Sequence, residues 1–143
     1  MRIPGAKIVA VLAIALFAIS CADDDDAAVD DGASLVGVWT GTEIGNETES
    51  WTFTFDASDG TAVSETEDYA FTYTTNPDED PNQIDMTFTE SWFPPYRGET
   101  APLIYLLDGD ALTLSSGEPG TDNRPTDFVN SYSANRVWEL TRQ

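Results

Sequence analysis

The sequence predicts an all-β fold, a small antiparallel up-and-down β-barrel of about eight strands, in one domain spanning residues 35–143. Three observations predict it. From residue 35 onward the apolar residues recur at every second position, and no stretch keeps the 3.6-residue period of an amphipathic helix. The alternating runs are short and separated by clusters of Gly, Pro, Asp and Asn, which end strands by taking turn conformations. About eight such runs suit either a barrel or a sandwich. Closing into a barrel removes the unpaired edges through which strands otherwise aggregate.

The elements follow in order. Leu35 to Ile44 is the first strand, with Gly37, Trp39 and Gly41 on one face; the two glycines leave room beside a large indole. In Glu49 to Phe55, Trp51, Phe53 and Phe55 alternate with Thr52 and Thr54, the pattern of a half-buried strand. Asp56-Ala57-Ser58-Asp59-Gly60 is a turn, with Gly60 able to take positive φ. Thr61 to Glu67 is a polar strand whose apolar handle is Val63. Tyr69, Phe71 and Tyr73 alternate with Ala70, Thr72 and Thr74 in the next. Residues 76–82 form an acidic loop with two prolines, and Ile84, Met86 and Phe88 define the strand after it. Residues 92–98 are a second loop, unusually aromatic. Leu103 to Leu107 is continuously apolar and reads as a strand covered on both faces. Asp108-Gly109-Asp110 turns it tightly into Ala111 to Ser115. Ser116 to Pro125 is loop, and Phe128 to Asn135 has no clear period. Val137 to Arg142 ends the chain with Trp138, Leu140 and Arg142 on one face.

Composition excludes several chemistries. The chain carries 26 Asp and Glu against six Lys and Arg, a formal charge of −20, with no His and a single Cys. One Cys makes neither an internal disulfide nor a Cys-based zinc site. Without His, the commonest general base and metal ligand is missing. The acidic balance opposes binding to nucleic acid, whose affinity depends on Lys and Arg meeting phosphate, and opposes adsorption to anionic lipid. No catalytic Ser stands in a Gly-x-Ser-x-Gly elbow and no phosphate-binding loop is present. The many carboxylates offer no distinguished pair for acid–base work. Asp78-Glu79-Asp80 and Asp56 with Asp59 lack the spacing of a calcium loop, so no catalytic residue, metal or cofactor is expected.

Residues 1–20 read as a secretory signal. Arg2 and Lys7 give a positive start, and Ile8 to Ile19 is an apolar run of 12 residues, too short for a bilayer span of roughly 20. It ends in Ala18-Ile19-Ser20-Cys21, which resembles the cleavage box of bacterial lipoproteins. In that family the Cys sulfur receives a diacylglycerol and the freed amine a third acyl chain, so the resemblance implies anchoring at Cys21 in the cell envelope. Each buried CH₂ contributes ~0.8 kcal/mol, and several chains together hold a protein in a membrane almost permanently. Residues 21–34, with Asp23 to Asp26, Asp30 and Asp31, form an acidic tether with nothing apolar to offset the entropy of ordering it. It resembles the acidic tract that sends some lipoproteins to the outer face of the outer membrane; a plain solvated spacer is the other reading.

Gly37-Val38-Trp39 resembles the Gly-x-Trp triplet on the first strand of lipocalins, where the Trp plugs the closed end of the barrel. Further pieces follow in order: Ile84-Asp85, the stretch Ile104-Tyr105-Leu106-Leu107-Asp108-Gly109-Asp110-Ala111-Leu112, then Arg124-Pro125-Thr126-Asp127-Phe128, and Leu140-Thr141-Arg142. The set is similar to a bacterial lipocalin-like domain family of uncharacterised function, whose members carry an Ile-Tyr-x-Leu-Asp-Gly-Asp-x-Leu hairpin followed by Arg-Pro-x-x-Phe. The resemblance implies a small antiparallel barrel, and a last-strand arginine, Arg142, packed over Trp39. It supplies no activity.

Two readings of the interior rings stand. Trp51, Phe53, Tyr69, Phe71, Tyr73, Phe88 and Tyr105 line a cavity for a small apolar ligand, or they fill the barrel as core. Eight strands enclose space for side chains or for one small molecule, and so short a domain with so many bulky rings tilts toward filling. Trp92, Phe93 and Tyr96 form either a lid and docking patch or a cover folded over one barrel end. The expected protein is a monomeric, non-catalytic envelope lipoprotein that binds a small apolar or amphipathic molecule, or else one with a filled barrel that meets a protein partner through its loops.

Overall fold

The structure, a computed structural model, describes residues 34–131 and 134–143. The signal, Cys21 and the acidic tether expected from the sequence lie outside the described residues. Eight strands follow one another: β1 (Gly37–Glu43), β2 (Asn46–Phe55), β3 (Asp59–Val63), β4 (Asp68–Asn76), β5 (Asn82–Ser91), β6 (Thr100–Asp108), β7 (Ala111–Ser116) and β8 (Arg136–Arg142). Each is antiparallel to the next. The last returns to the first, from Trp39 opposite Arg142 to Glu43 opposite Trp138. The sheet is therefore a closed eight-stranded up-and-down barrel. Among the described residues, the strands are accompanied by one 3-10 turn, Pro94–Tyr96, and by a cis Asp80–Pro81 bond in the acidic loop.

The period-two pattern now has its physical meaning. Trp39 on β1, Trp51, Phe53 and Phe55 on β2, Phe71 on β4, and Ile84, Met86 and Phe88 on β5 all point inward and are buried, while the Thr residues between the rings face outward. Each such side chain contributes ~1.5–3 kcal/mol on burial, so a one-residue slip that reversed the faces would forfeit the whole core.

One end of the barrel is closed. Trp39 is wholly buried there, its indole N–H donates to the Leu35 carbonyl at 2.8 Å, and the Arg142 guanidinium lies 4.2 Å above its ring. Arg142 is fixed in turn by donating to the Val36 carbonyl at 2.9 Å and by an ion pair with Asp110 at 3.3 Å. The glycines of β1 serve this closure, but not by leaving room for the indole. A Cβ on Gly37, whose φ is +143°, would lie 2.8 Å from an Arg142 nitrogen, and one on Gly41 would lie 1.9 Å from the Glu139 carbonyl oxygen. The space is taken by the last strand.

Several elements differ from the sequence expectation. Gly60 is not a positive-φ turn residue; it lies within β3, where a Cβ would stand 2.2 Å from the Thr54 carbonyl oxygen and 3.0 Å from the Phe71 ring. The turn is only Asp56 to Ser58. β3 ends at Val63, and Val63 is exposed; the inward residue is Ala62. The expected strand to Glu67 stops because Glu49 accepts from the Ser64 hydroxyl at 2.6 Å and from the Thr66 N–H at 3.2 Å, fixing a turn instead. β6 is covered on both faces only over its first half: Ile104 is buried, but Leu106 is 54% exposed.

The long β7–β8 connection is tied back to the strands on either side of this region. Ile104, Ser115 and Val137 form one cross-strand row on the outer face, and all three are buried. The connection is pinned on both sides of the row. Arg124 donates to the Leu103 carbonyl at 2.7 Å and pairs with Asp85 at 2.6 Å, and the Asn130 amide donates to the Ile44 carbonyl. Among the described residues of 128–131 and 134–135 there is an isolated bridge between Ser131 and Asn135 and no strand.

Candidate functional site

The end opposite Trp39 is open. There a cavity of about 230 Å³ enters the barrel between the aromatic β5–β6 loop and the two ends of the β7–β8 connection. Its wall is formed by Trp51, Phe53, Tyr69, Phe88, Tyr96 and Trp138, with Ala62, Met86 and Leu103 beneath and Glu118 and Arg136 beside them. Strand parity supplies these residues. Trp51 and Phe53 are alternate residues of β2, Met86 and Phe88 of β5, Arg136 and Trp138 of β8.

A buried charge cluster organises this end. Arg136 makes a two-pronged contact with Glu43, Nε to Oε1 at 2.9 Å and Nη2 to Oε2 at 2.7 Å. It reaches Glu67 through Nη1 at 3.1 Å and Nη2 at 3.2 Å. Its guanidinium also lies over indole rings, 5.4 Å from the Trp51 ring centre and 5.0 Å from that of Trp138. Glu67 further accepts from the Tyr69 hydroxyl at 2.5 Å and the Trp92 indole at 2.9 Å, and Trp92 also donates to the Tyr69 oxygen at 2.6 Å. Glu43 is only 5% exposed. A carboxylate so enclosed requires a cationic partner with good geometry, since removing it from water costs several kcal/mol.

These contacts set the protonation states. The carboxylates of Glu43 and Glu67 hold Arg136 charged, raising its pKa against the opposing effect of burial. Burial, followed by the neighbouring Glu67, pushes the Tyr69 hydroxyl well above its ordinary value. Burial and then Glu118 raise the Tyr96 hydroxyl above its ordinary value as well. At neutral pH both are neutral donors, poorly suited to proton abstraction. Among the described residues, no group of three or more Asp or Glu stands where it would hold a metal ion.

Of the aromatic residues expected at a ligand site, the cavity brings together Trp51, Phe53, Tyr69 and Phe88. Phe71, Tyr73 and Tyr105 do not line it. Phe71 packs edge-on against Phe55 at 5.7 Å, and Tyr73 against Phe55 at 5.2 Å, in the filled half of the barrel. Tyr105 is buried in the same core, and the Tyr73 hydroxyl finds its partner in the Asp56 carbonyl at 2.5 Å. The loop aromatics divide. Tyr96 is half-buried, 6.5 Å from Phe88 and part of the cavity wall, whereas Trp92 and Phe93 are 50% and 40% exposed. Gly37, Trp39 and Arg142 form the closed end, remote from the cavity.

Sequence reading missed Glu43, Glu67, Glu118 and Arg136. Parity carried a signal for two of them: Glu43 continues the inward face of Trp39 and Gly41, and Arg136 that of Trp138 and Leu140. The indole N–H groups of Trp51 and Trp138 are closed off from water and have no acceptor among the described residues. Each buried donor left without any acceptor costs about 1–3 kcal/mol. Comparison of the chain with family models, with curated proteins and with solved structures finds no match.

Proposed function

We propose that this protein is a non-catalytic binding lipoprotein of the bacterial envelope, whose barrel holds one small apolar or amphipathic molecule at its open end. The observation that carries the reading is the 230 Å³ cavity. It exceeds the ~150 Å³ that suffices for benzene in an apolar core and falls below the ~300–1,000 Å³ of drug-sized pockets. The ligand is therefore about the size of one substituted ring, not a long acyl chain or a tetrapyrrole. The lipocalin-like features around Trp39 and Arg142, and the lipoprotein box at Cys21, support placing the barrel at a membrane surface.

The competing reading is a filled barrel that docks a protein partner through its loops, favoured by the exposed Trp92 and Phe93. One substitution separates the two. Ala62 is 4% exposed and lies on the cavity wall. Ala62→Leu is expected to abolish binding of small aromatic compounds, read by tryptophan fluorescence, while unfolding free energy stays within ~1 kcal/mol of the parent. In a filled barrel the added carbons would overpack the core and cost about 1–3 kcal/mol instead. Native mass spectrometry of protein purified from its own host is expected to show one co-purified molecule, absent from Ala62→Leu. Its absence from the parent, together with an overpacking loss in the variant, would reject the binding reading.

A further inference from the structure

We propose that the ligand of the open-end cavity is a small organic cation, an amine or quaternary ammonium on an apolar body, rather than a fatty acid or other anion. This rests on the binding reading above and adds the sign of the ligand's charge.

Three observations converge. First, the cavity end carries an excess of negative charge: Glu43, Glu67 and Glu118 stand against one guanidinium, that of Arg136. Arg136 directs its donors at Glu43 and Glu67, so an incoming carboxylate meets an occupied cation and uncompensated like charge. Glu118, exposed at the rim, has no ion-pair partner among the described residues.

Second, the lining already shows how it stabilises a cation. The Arg136 guanidinium sits beside two indole rings that pack edge-on against each other, within 5.4 Å of both ring centres, and carries carboxylates at its edge. Outward from it the same combination continues, in the rings of Tyr69, Phe88 and Tyr96 and then the Glu118 carboxylate. Aromatic faces attract ammonium groups through the ring quadrupole, more strongly as water is excluded. Third, the protein's overall charge of −20 raises the local concentration of cations at any cleft and lowers that of anions.

The test uses three probes of nearly equal shape against the full chain: phenyltrimethylammonium, the uncharged 2-phenyl-2-propanol, and 2-methyl-2-phenylpropanoate. Titration by calorimetry or tryptophan fluorescence is expected to give the cation about tenfold tighter binding than the alcohol, and no measurable binding of the carboxylate. Glu118→Gln, on an exposed loop, is expected to weaken the cation by about threefold and leave the alcohol unchanged. If the alcohol or the carboxylate binds as tightly as the cation, the charge assignment is overturned while the binding reading stands. If none of the three binds, both fall.

Discussion

Trp39→Ala is expected to destabilise the barrel by about 4 kcal/mol, within the 3–5 kcal/mol typical when a fully buried aromatic is truncated. Three losses combine. The indole leaves a void at the closed end, where its exposure is 0%. The Leu35 carbonyl loses its donor at 2.8 Å. The Arg142 guanidinium loses the ring it covers at 4.2 Å and with it a contact of ~0.5–2 kcal/mol. Trp39→Phe keeps an aromatic face but removes the N–H, and is expected to cost roughly 1–2 kcal/mol. Urea unfolding followed by circular dichroism measures both. A loss below ~1.5 kcal/mol for Trp39→Ala would mean that this end is not plugged as described.

Arg136→Met is expected to cost about 3 kcal/mol and to lower the melting temperature by roughly 10–20 °C. The methionine retains much of the apolar contact with the indoles but leaves Glu43 and Glu67 facing each other without a cation. Their side chains are 6% and 16% exposed, against 35% for Arg136, so the carboxylates bear most of the desolvation. This partial opening to water places the expected loss at the low end for breaking a buried pair. The triple variant Arg136→Met, Glu43→Gln, Glu67→Gln removes all three charges and is expected to recover at least half of the loss. If the triple variant were less stable than Arg136→Met alone, the cluster would owe its stability to something other than charge compensation.

What was legible in the sequence follows from distance along the chain. The strands and their inward faces were visible because period two is a local property: Trp51, Phe53 and Phe55 announce an inward face within five residues. Trp39 and Arg142 were legible together only through the resemblance to lipocalins, which implies an arginine of the last strand over the first-strand Trp; the register sets the two opposite each other. The charge cluster was hidden by the same logic. Glu43, Glu67 and Arg136 sit on β1, the β3–β4 turn and β8, and each alone resembles a solvated surface charge in a chain with 26 acidic residues. Only the β1–β8 register brings Glu43 beside Trp138 and so within reach of Arg136. Gly60 was misread because turn and close approach both select glycine, and the sequence does not reveal that the Phe71 ring lies 3.0 Å from where its Cβ would be. The β7–β8 connection showed no period because its described residues belong to no named strand; side chains such as Arg124 and Asn130 tie it back to the barrel.

The two ends of the barrel have opposite roles in this account, and the four tryptophans report on both. Trp39 marks the closed end, Trp51 and Trp138 the cavity wall, and Trp92 the rim loop. Their indole N–H signals in a nitrogen-15 correlation spectrum can be followed during titration with phenyltrimethylammonium. The account predicts that the Trp51 and Trp138 signals shift together and saturably while Trp39 stays fixed. A Trp39 signal that moves with them, or a shift confined to Trp92, would contradict it.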